Sequence, residues 1–381
     1  MASSNRGRLR RIWFQVHLWI GVALSLALIP LGISGSYLVW RDEIERLMHP
    51  DRYQVSAGPA ALPASAYLAA AQGGFGERAR AASLRMPARP GDPVVVTGQV
   101  RRAQPAPGAA PARAPERPQS LTAWIDPPDG RVLAVANPRQ GLSAWMHDLH
   151  GQFFVFGTGR QVVGWFGWAM LVSCLTGLWL WWPQAGGPLM AVRWRRSAKP
   201  LMNWHHFTGF WMVLPLAALS LSGALIAFPD FTRAAVSKMA PVSGRAGGPP
   251  RGRGGPIGHS TLTPDQAVAL ARAQVPSARL TSLTLPTRSK EAPAWRIQLK
   301  GASGGPVDLV LPDQAGAAPR VAPPPVLSQG DGLIRFNRRL HDGDDGPALW
   351  KWIITLAGLA PAILGVTGTI AWAAGLKRAK A

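Results

Sequence analysis

The chain has 381 residues, 47% of them hydrophobic and only 16% charged, with 17 tryptophans. That balance is too apolar for an ordinary soluble enzyme and predicts membrane spans joined to polar domains. The net charge of +22 would suit nucleic acid, but the arginines and lysines cluster beside apolar runs, at residues 6–11, 193–199 and 377–380, where the positive-inside bias assigns them to the cytoplasm. A nucleic-acid partner is therefore not expected. The single cysteine, Cys174, lies in an apolar run and excludes a disulfide framework or a cysteine metal cluster within one chain.

Four runs reach the roughly 20 apolar residues that cross about 30 Å of hydrocarbon: residues 13–40, 162–182, 204–228 and 349–372. Each ends in tryptophan or lies beside it, as an interfacial belt requires. The first run is too long for a signal-peptide core and has no small-residue cleavage site, so it reads as a retained anchor. The expected fold is a membrane α-helical four-span bundle arising from an internal duplication, with two periplasmic α+β domains. In chain order the expectation is a first span with a cytoplasmic N-terminus over 1–40, an outer domain over 41–146, a second span over 147–183 and a cytoplasmic loop over 184–201. A third span over 202–229, a second outer domain over 230–340 and a fourth span with a cytoplasmic C-terminus over 341–381 complete it. The expected location is the bacterial inner membrane, with both termini in the cytoplasm.

The duplication is read from matched residues. His17, Gly21, Ser34 and Gly35 recur as His205, Gly209, Ser222 and Gly223, all displaced by 188 residues. Leu149, His150, Gly167, Thr176, Gly177 and Trp181 recur as Leu340, His341, Gly358, Thr367, Gly368 and Trp372, all displaced by 191. In the outer segments, Thr261 to Ala271 reads as a capped helix followed by alternating strands over 279–285 and 295–299. The counterparts in the first half are a helix over 63–71 and a strand, turn and strand from Leu121 to Leu133, with a further match from Val307 to Gly316. Pro/Gly/Ala/Arg-rich stretches over 101–118 and 243–258 lack the apolar content to pack a core and read as mobile loops.

Ionisable residues inside spans are costly and mark function. The duplication would bring His17 beside His205 near the inner surface and His150 beside His341 near the outer one. Each pair has the composition of a bis-histidine haem site, in which two imidazoles hold the iron axially. Gly21, Gly35, Gly209 and Gly223 read either as room for a flat macrocycle or as helix-packing residues. His147, one turn before His150, and His206, beside His205, are alternative ligands, whereas His49 and His259 read as solvated surface residues. A second metal reading joins His147, Asp148 and His150, or His341 with Asp342, Asp344 and Asp345. No motif for catalysis by the polypeptide alone is present.

His17 to Gly21 with Ser34-Gly35, the run Leu149-His150-Gly151, and Thr176-Gly177 leading to Pro183 together resemble the PepSY-associated transmembrane family, and the outer segments resemble PepSY domains. The best-understood kind of member, FoxB-like inner-membrane siderophore reductases, is similar in length. The resemblance implies two b-type haems held by the four repeated histidines, and electron transfer across the inner membrane to a ferric siderophore in the periplasm, releasing Fe(II). The electron donor would be a quinol or a cytoplasmic reductase, since no flavin or nicotinamide domain is recognisable. The outer arginines Arg101, Arg102, Arg251 and Arg253 read as attraction for anionic chelates or as a solvated basic surface. The rival reading is a non-catalytic membrane module whose outer domains bind a periplasmic partner. A transporter is disfavoured because broken helices and paired intramembrane charges are missing.

Overall fold

The computed structural model describes residues 2–100, 119–182, 197, 199–243, 257–287, 292–301, 304–322, 328–344 and 346–380, without the side chains of 2–6 and 376–380. The stretches expected as mobile loops lie almost wholly outside these residues. So do most of the loop over 184–201, its basic cluster, the four outer arginines and Asp345. The chain divides into two compact units, one formed by residues 1–41, 142–244 and 327–381 and the other by 42–141 and 245–326.

The first unit is helical. Among the described residues four helices are long and apolar enough to cross a membrane: α1 (Ala2–Val39), α5 (Gly159–Trp181), α6 (Pro200–Ala227) and α10 (Ala348–Lys380). They pack in a ring in which α1 touches α10 and α5, and α6 touches the same two helices, leaving α1 and α6 on a diagonal. Small residues set the approach, because helices in lipid gain nothing from apolar burial and rely on close packing and hydrogen bonds. A Cβ on Gly32 would strike the backbone of Gly358, and one on Gly358 would strike Ser36. The Ser36 hydroxyl donates to the Thr355 carbonyl across this contact at 3.0 Å. Gly167 stands in the same close relation to Ser220 and Ala224, so Gly167 and Gly358 serve helix packing.

The repeated histidines at 150 and 341 do not begin the span helices. His150 lies on a separate helix, α4 (Leu142–Gln152), and His341 on another, α9 (Gln329–Asp342). Phe153 and Phe154, at φ +50° and +57°, end α4 in a conformation that bulky residues seldom adopt. Gly343, at φ +75°, ends α9 in the ordinary way for a left-handed cap. Ser328 caps the other end of α9 by accepting from the Asp331 amide at 3.2 Å. Between α6 and the second outer segment, α7 (Pro229–Ser237) places Arg233 within 3.5 Å of Asp331.

The second unit corrects the picture of two separate outer domains. After α2 (Arg41–Met48) and α3 (Ala64–Phe75) come β1 (Ala79–Arg85), β2 (Val94–Val100), β3 (Ser120–Ile125) and β4 (Val132–Ala136). The later segment supplies α8 (Pro264–Gln274), β5 (Arg279–Thr284), β6 (Ala294–Lys300), β7 (Pro306–Pro312) and β8 (Arg320–Val321). All eight strands form one antiparallel sheet, ordered β4-β3-β2-β1-β5-β6-β7-β8. The join is β1 against β5, with Ser83 opposite Thr284 and Arg85 opposite Ser282. Tyr67, Phe75, Leu283 and Trp295 are fully buried in one core under α3 and α8, each worth roughly 1.5–3 kcal/mol of burial. The Thr263/Gln266 capping box forms as its sequence predicts.

Two aspartates pin the matching ends of this unit. Asp313 accepts from the Thr261 and Leu262 amides and from the Trp295 indole at 2.9–3.1 Å. Asp126 accepts from the Ser56 amide and hydroxyl and from Arg131. Burial alone would raise the Asp126 carboxyl, but these donors hold it below the usual carboxylate range.

Candidate functional site

The four repeated histidines come together as two pairs within the helical unit. The His17 and His205 ring centres lie 6.4 Å apart, and those of His150 and His341 lie 6.0 Å apart. The first pair bridges the diagonal from α1 to α6. The second joins the short helices α4 and α9. His147 is exposed, so His150 rather than His147 meets His341. His206 sits beside His205, with ring centres 6.3 Å apart, and lines the same cavity. His49 lies 3.7 Å from Glu45, and His259 is exposed.

Each imidazole rests on a glycine of a neighbouring span. A Cβ on Gly35 would come within 2.7 Å of His150 Cε1, on Gly223 within 2.8 Å of His341 Cε1, and on Gly177 within 2.9 Å of His17 Cε1. Gly368 is looser, at 3.4 Å from His205 Cε1. These glycines therefore make room for the histidine rings themselves, which corrects the reading that Gly35 and Gly223 clear space for a macrocycle. Gly21 and Gly209 behave differently: both line a cavity with His17 and His205.

Beside three of these glycines the preceding residue places a hydroxyl against the imidazole. Thr367 Oγ1 lies 2.9 Å from His205 Nδ1, Ser222 Oγ lies 3.0 Å from His341 Nδ1, and Thr176 Oγ1 lies 3.2 Å from His17 Nδ1. All three hydroxyls already donate to carbonyls of their own helices, Thr367 to Ile363, Ser222 to Leu219 and Thr176 to Val172. Each hydroxyl has one proton, so while that proton goes to the helix carbonyl the hydroxyl accepts from the ring Nδ1. His17 Nδ1 also meets the Ser173 carbonyl at 3.1 Å, and His150 Nδ1 meets the Leu31 carbonyl at 2.9 Å. A carbonyl only accepts. His17 and His150, which face carbonyls, thus carry their proton on Nδ1 and keep the Nε2 lone pair, the arrangement typical of metal-bound histidine and its outer partner.

His150 and His341 lie outside the four span helices, and burial lowers both their pKa values. His341 falls to about 4, with repulsion from His150 adding to burial. Both rings are neutral near pH 7, the state that binds metal. Asn337 donates to the Ser222 carbonyl at 3.2 Å and the Trp350 indole to the Leu340 carbonyl at 3.0 Å, which ties α9 to both neighbouring spans around His341. Tyr37 and Ser143 share a 2.8 Å hydrogen bond that ties α4 to α1.

The pairs can be tested against a haem. An imidazole nitrogen sits about 2.0–2.1 Å from a bound metal, and the ring centre lies about 1.1 Å further on. Two imidazoles on opposite sides of one iron therefore have centres about 6.2–6.4 Å apart. The observed 6.4 Å falls at the edge of this range and 6.0 Å lies slightly below it. Ordinary aromatic contacts also fall at 4.5–7 Å; beside the separation stands the Nδ1 contact of each ring with an oxygen of a neighbouring helix. A cavity of about 530 Å³ encloses His17 and His205, within the range of cofactor pockets. The residues fit the group. Among the described residues no three His, Cys, Asp or Glu side chains are grouped for a metal, so the outer non-haem site is not assembled there.

A family model described as the PepSY-associated TM region matches residues 14–374. The chain belongs to this family. The match spans all four long helices and both segments of the sheet, so the PepSY-associated region here includes both histidine pairs. No curated protein matches the chain.

Proposed function

We propose that this member of the PepSY-associated family is a di-haem oxidoreductase of the inner membrane, FoxB-like, that passes electrons from the cytoplasmic side to ferric siderophores in the periplasm and releases Fe(II) for uptake. The observation that carries the reading is the pairing of four imidazoles, with ring centres 6.4 and 6.0 Å apart and each Nδ1 against an oxygen of a neighbouring helix. We also read the matched Ser/Thr-Gly cradles as the product of an internal duplication.

Haem, when bound, supplies reversible one-electron chemistry at its iron. The chain's residues do the rest. His17 and His205 would hold one b-type haem, and His150 and His341 the other. Thr176, Thr367, Ser222 and the Leu31 carbonyl accept the Nδ1 protons, which orients the rings and raises their basicity. The glycine cradles stop each ring from turning, and the apolar cavity wall keeps water from the metal.

His17 and Gly35 stand 18 residues apart on α1, about 27 Å along the helix, so one helix serves a site near each membrane face. The basic clusters beside the His17 end make that end cytoplasmic. The sheet unit would then lie in the periplasm, where a ferric chelate arrives. Reduction of the bound ferric ion weakens a hard-oxygen chelator's hold, and no covalent catalysis by the protein is required.

The test is stopped-flow mixing of dithionite-reduced, detergent-solubilised protein with a ferric hydroxamate chelate, with an Fe(II)-specific dye present. Reoxidation of the reduced spectrum with two Fe(II) formed per chain is expected, because each ferric ion takes one electron. A reduced protein that stays reduced and yields no Fe(II) would remove the reductase reading and leave the partner-binding membrane module as the better account.

A further inference from the structure

We infer that Arg10 and Arg11 form a carboxylate subsite at one end of the His17/His205 cavity, and that its ligands are the two propionates of the haem bound there. The inference rests on the haem reading above and adds an orientation to it.

The cavity is graded along its length. Its lining on α1 runs from Gly7 to Leu28 with His17 between, about 31 Å of helix, with Arg10 about 10 Å to one side of His17 and Leu28 about 16 Å to the other. Beyond the histidines the walls carry no charged residue and are largely apolar, with Met170, Leu216 and Leu364 around Ser25. At the opposite end stand both arginines. Helix α5 runs the other way and agrees, since Arg10 donates to the carbonyl of Leu180 near its C-terminus while Met170 is ten residues earlier.

Haem is graded in the same sense, with two carboxylates on one edge and only methyl and vinyl groups on the opposite one. Placing those carboxylates among Leu28, Leu216 and Leu364 would bury charge without a partner, which is heavily penalised. Placing them at Arg10 and Arg11 gives charge-assisted hydrogen bonds. The 2.7 Å bond to the Leu180 carbonyl holds the Arg10 guanidinium at the cavity while using one of the five donors that arginine offers. Phosphate headgroups of anionic lipid are the other source of the same chemistry at such a site, and the test separates the two.

The experiment uses full-length protein purified without haem from haem-starved cells, in a His341→Ala background that leaves one complete histidine pair. It is titrated with haem and with haem dimethyl ester, followed by the Soret band. With both arginines present, the ester is expected to bind about tenfold or more weakly than haem. The Arg10→Gln/Arg11→Gln variant should lose that preference, with haem binding as weakly as the ester. Equal binding of the two forms when the arginines are present overturns the inference, as does an equal loss for both forms in the variant. A variant that keeps the preference but binds phosphatidylglycerol vesicles less well assigns the arginines to lipid instead. Should the double variant misfold, the acid-to-ester comparison on the arginine-bearing protein still decides, and Arg10→Lys should retain the preference. Protein that takes up neither form rejects the haem reading itself.

Discussion

The two histidine pairs are built from the same parts but mounted differently. In the first, the histidines ride on the spans α1 and α6, and the cradles Thr176-Gly177 and Thr367-Gly368 belong to the other two spans. In the second the roles exchange: α1 and α6 supply the cradles at Gly35 and Ser222-Gly223, while the histidines come from the short helices α4 and α9. Each of α1 and α6 thus holds a histidine of one pair and a seat for the other. The first pair inherits its geometry from long helices. The second depends on how two short helices are capped and tied.

The largest effect expected from this comparison comes from filling the seats. Gly35→Ala, Gly223→Ala and Gly177→Ala each drive a methyl group into an imidazole at under 3.0 Å, a clash of the kind that costs about 1–3 kcal/mol. Each should abolish one of two haem signals, the His150/His341 signal for the first two and the His17/His205 signal for the third. Gly368→Ala, with 3.4 Å of room, should keep both. Haem content and reduced α-band intensity of the four variants check this order.

A smaller effect is expected at the hydroxyls. Thr367→Val and Ser222→Ala leave a buried Nδ1–H without its acceptor, at about 1–3 kcal/mol, and weaken the ligand's basicity. Haem affinity should fall roughly 10–100-fold at the pair concerned, and its reduction potential should move while the other pair's stays fixed. Potentiometric titration of the two signals is the check.

The smallest effect lies furthest from the iron. Asp331 accepts from the Ser328 hydroxyl at 2.6 Å and the Ser243 amide at 3.1 Å, with Arg233 near. The Ser328 hydroxyl bond comes first among the donors that hold its carboxyl below the usual range. A carboxyl lowered on folding stabilises the fold above its unfolded pKa, about 3.9, and loses that contribution as pH falls through the folded value. On acidification below pH 4 the His150/His341 signal should therefore shift before the His17/His205 signal, and Asp331→Asn should remove the difference. An acid titration of the oxidised spectrum reads it.

The four spans and the pairing of the histidines were legible from hydropathy and from two constant displacements in the sequence. What the glycines do was not, because a small residue at a fixed spacing reads the same whether it admits a helix, a cofactor or a histidine ring. The end of α4 was hidden for a different reason: its left-handed residues are Phe153 and Phe154, which carry no turn signal, and only Gly157 marks the connection to α5. Around His341 the signals were present in Gly343 and Pro347, though they were read as part of one span. In the sheet unit, the capping box marked α8 clearly. Strand β1, rich in alanine and arginine, carries little strand propensity, and its pairing with β2 and β5 comes from tertiary context.

The central claim is that each histidine pair holds one haem, and the most direct measurement is the visible spectrum of the purified protein before and after dithionite, with haem quantified per chain. The account predicts two haems per chain with sharp reduced α and β bands, falling to one when His17 or His205 is changed to Ala and to one when His150 or His341 is changed. A colourless protein from haem-replete cells, or a spectrum unchanged by these substitutions, would contradict it.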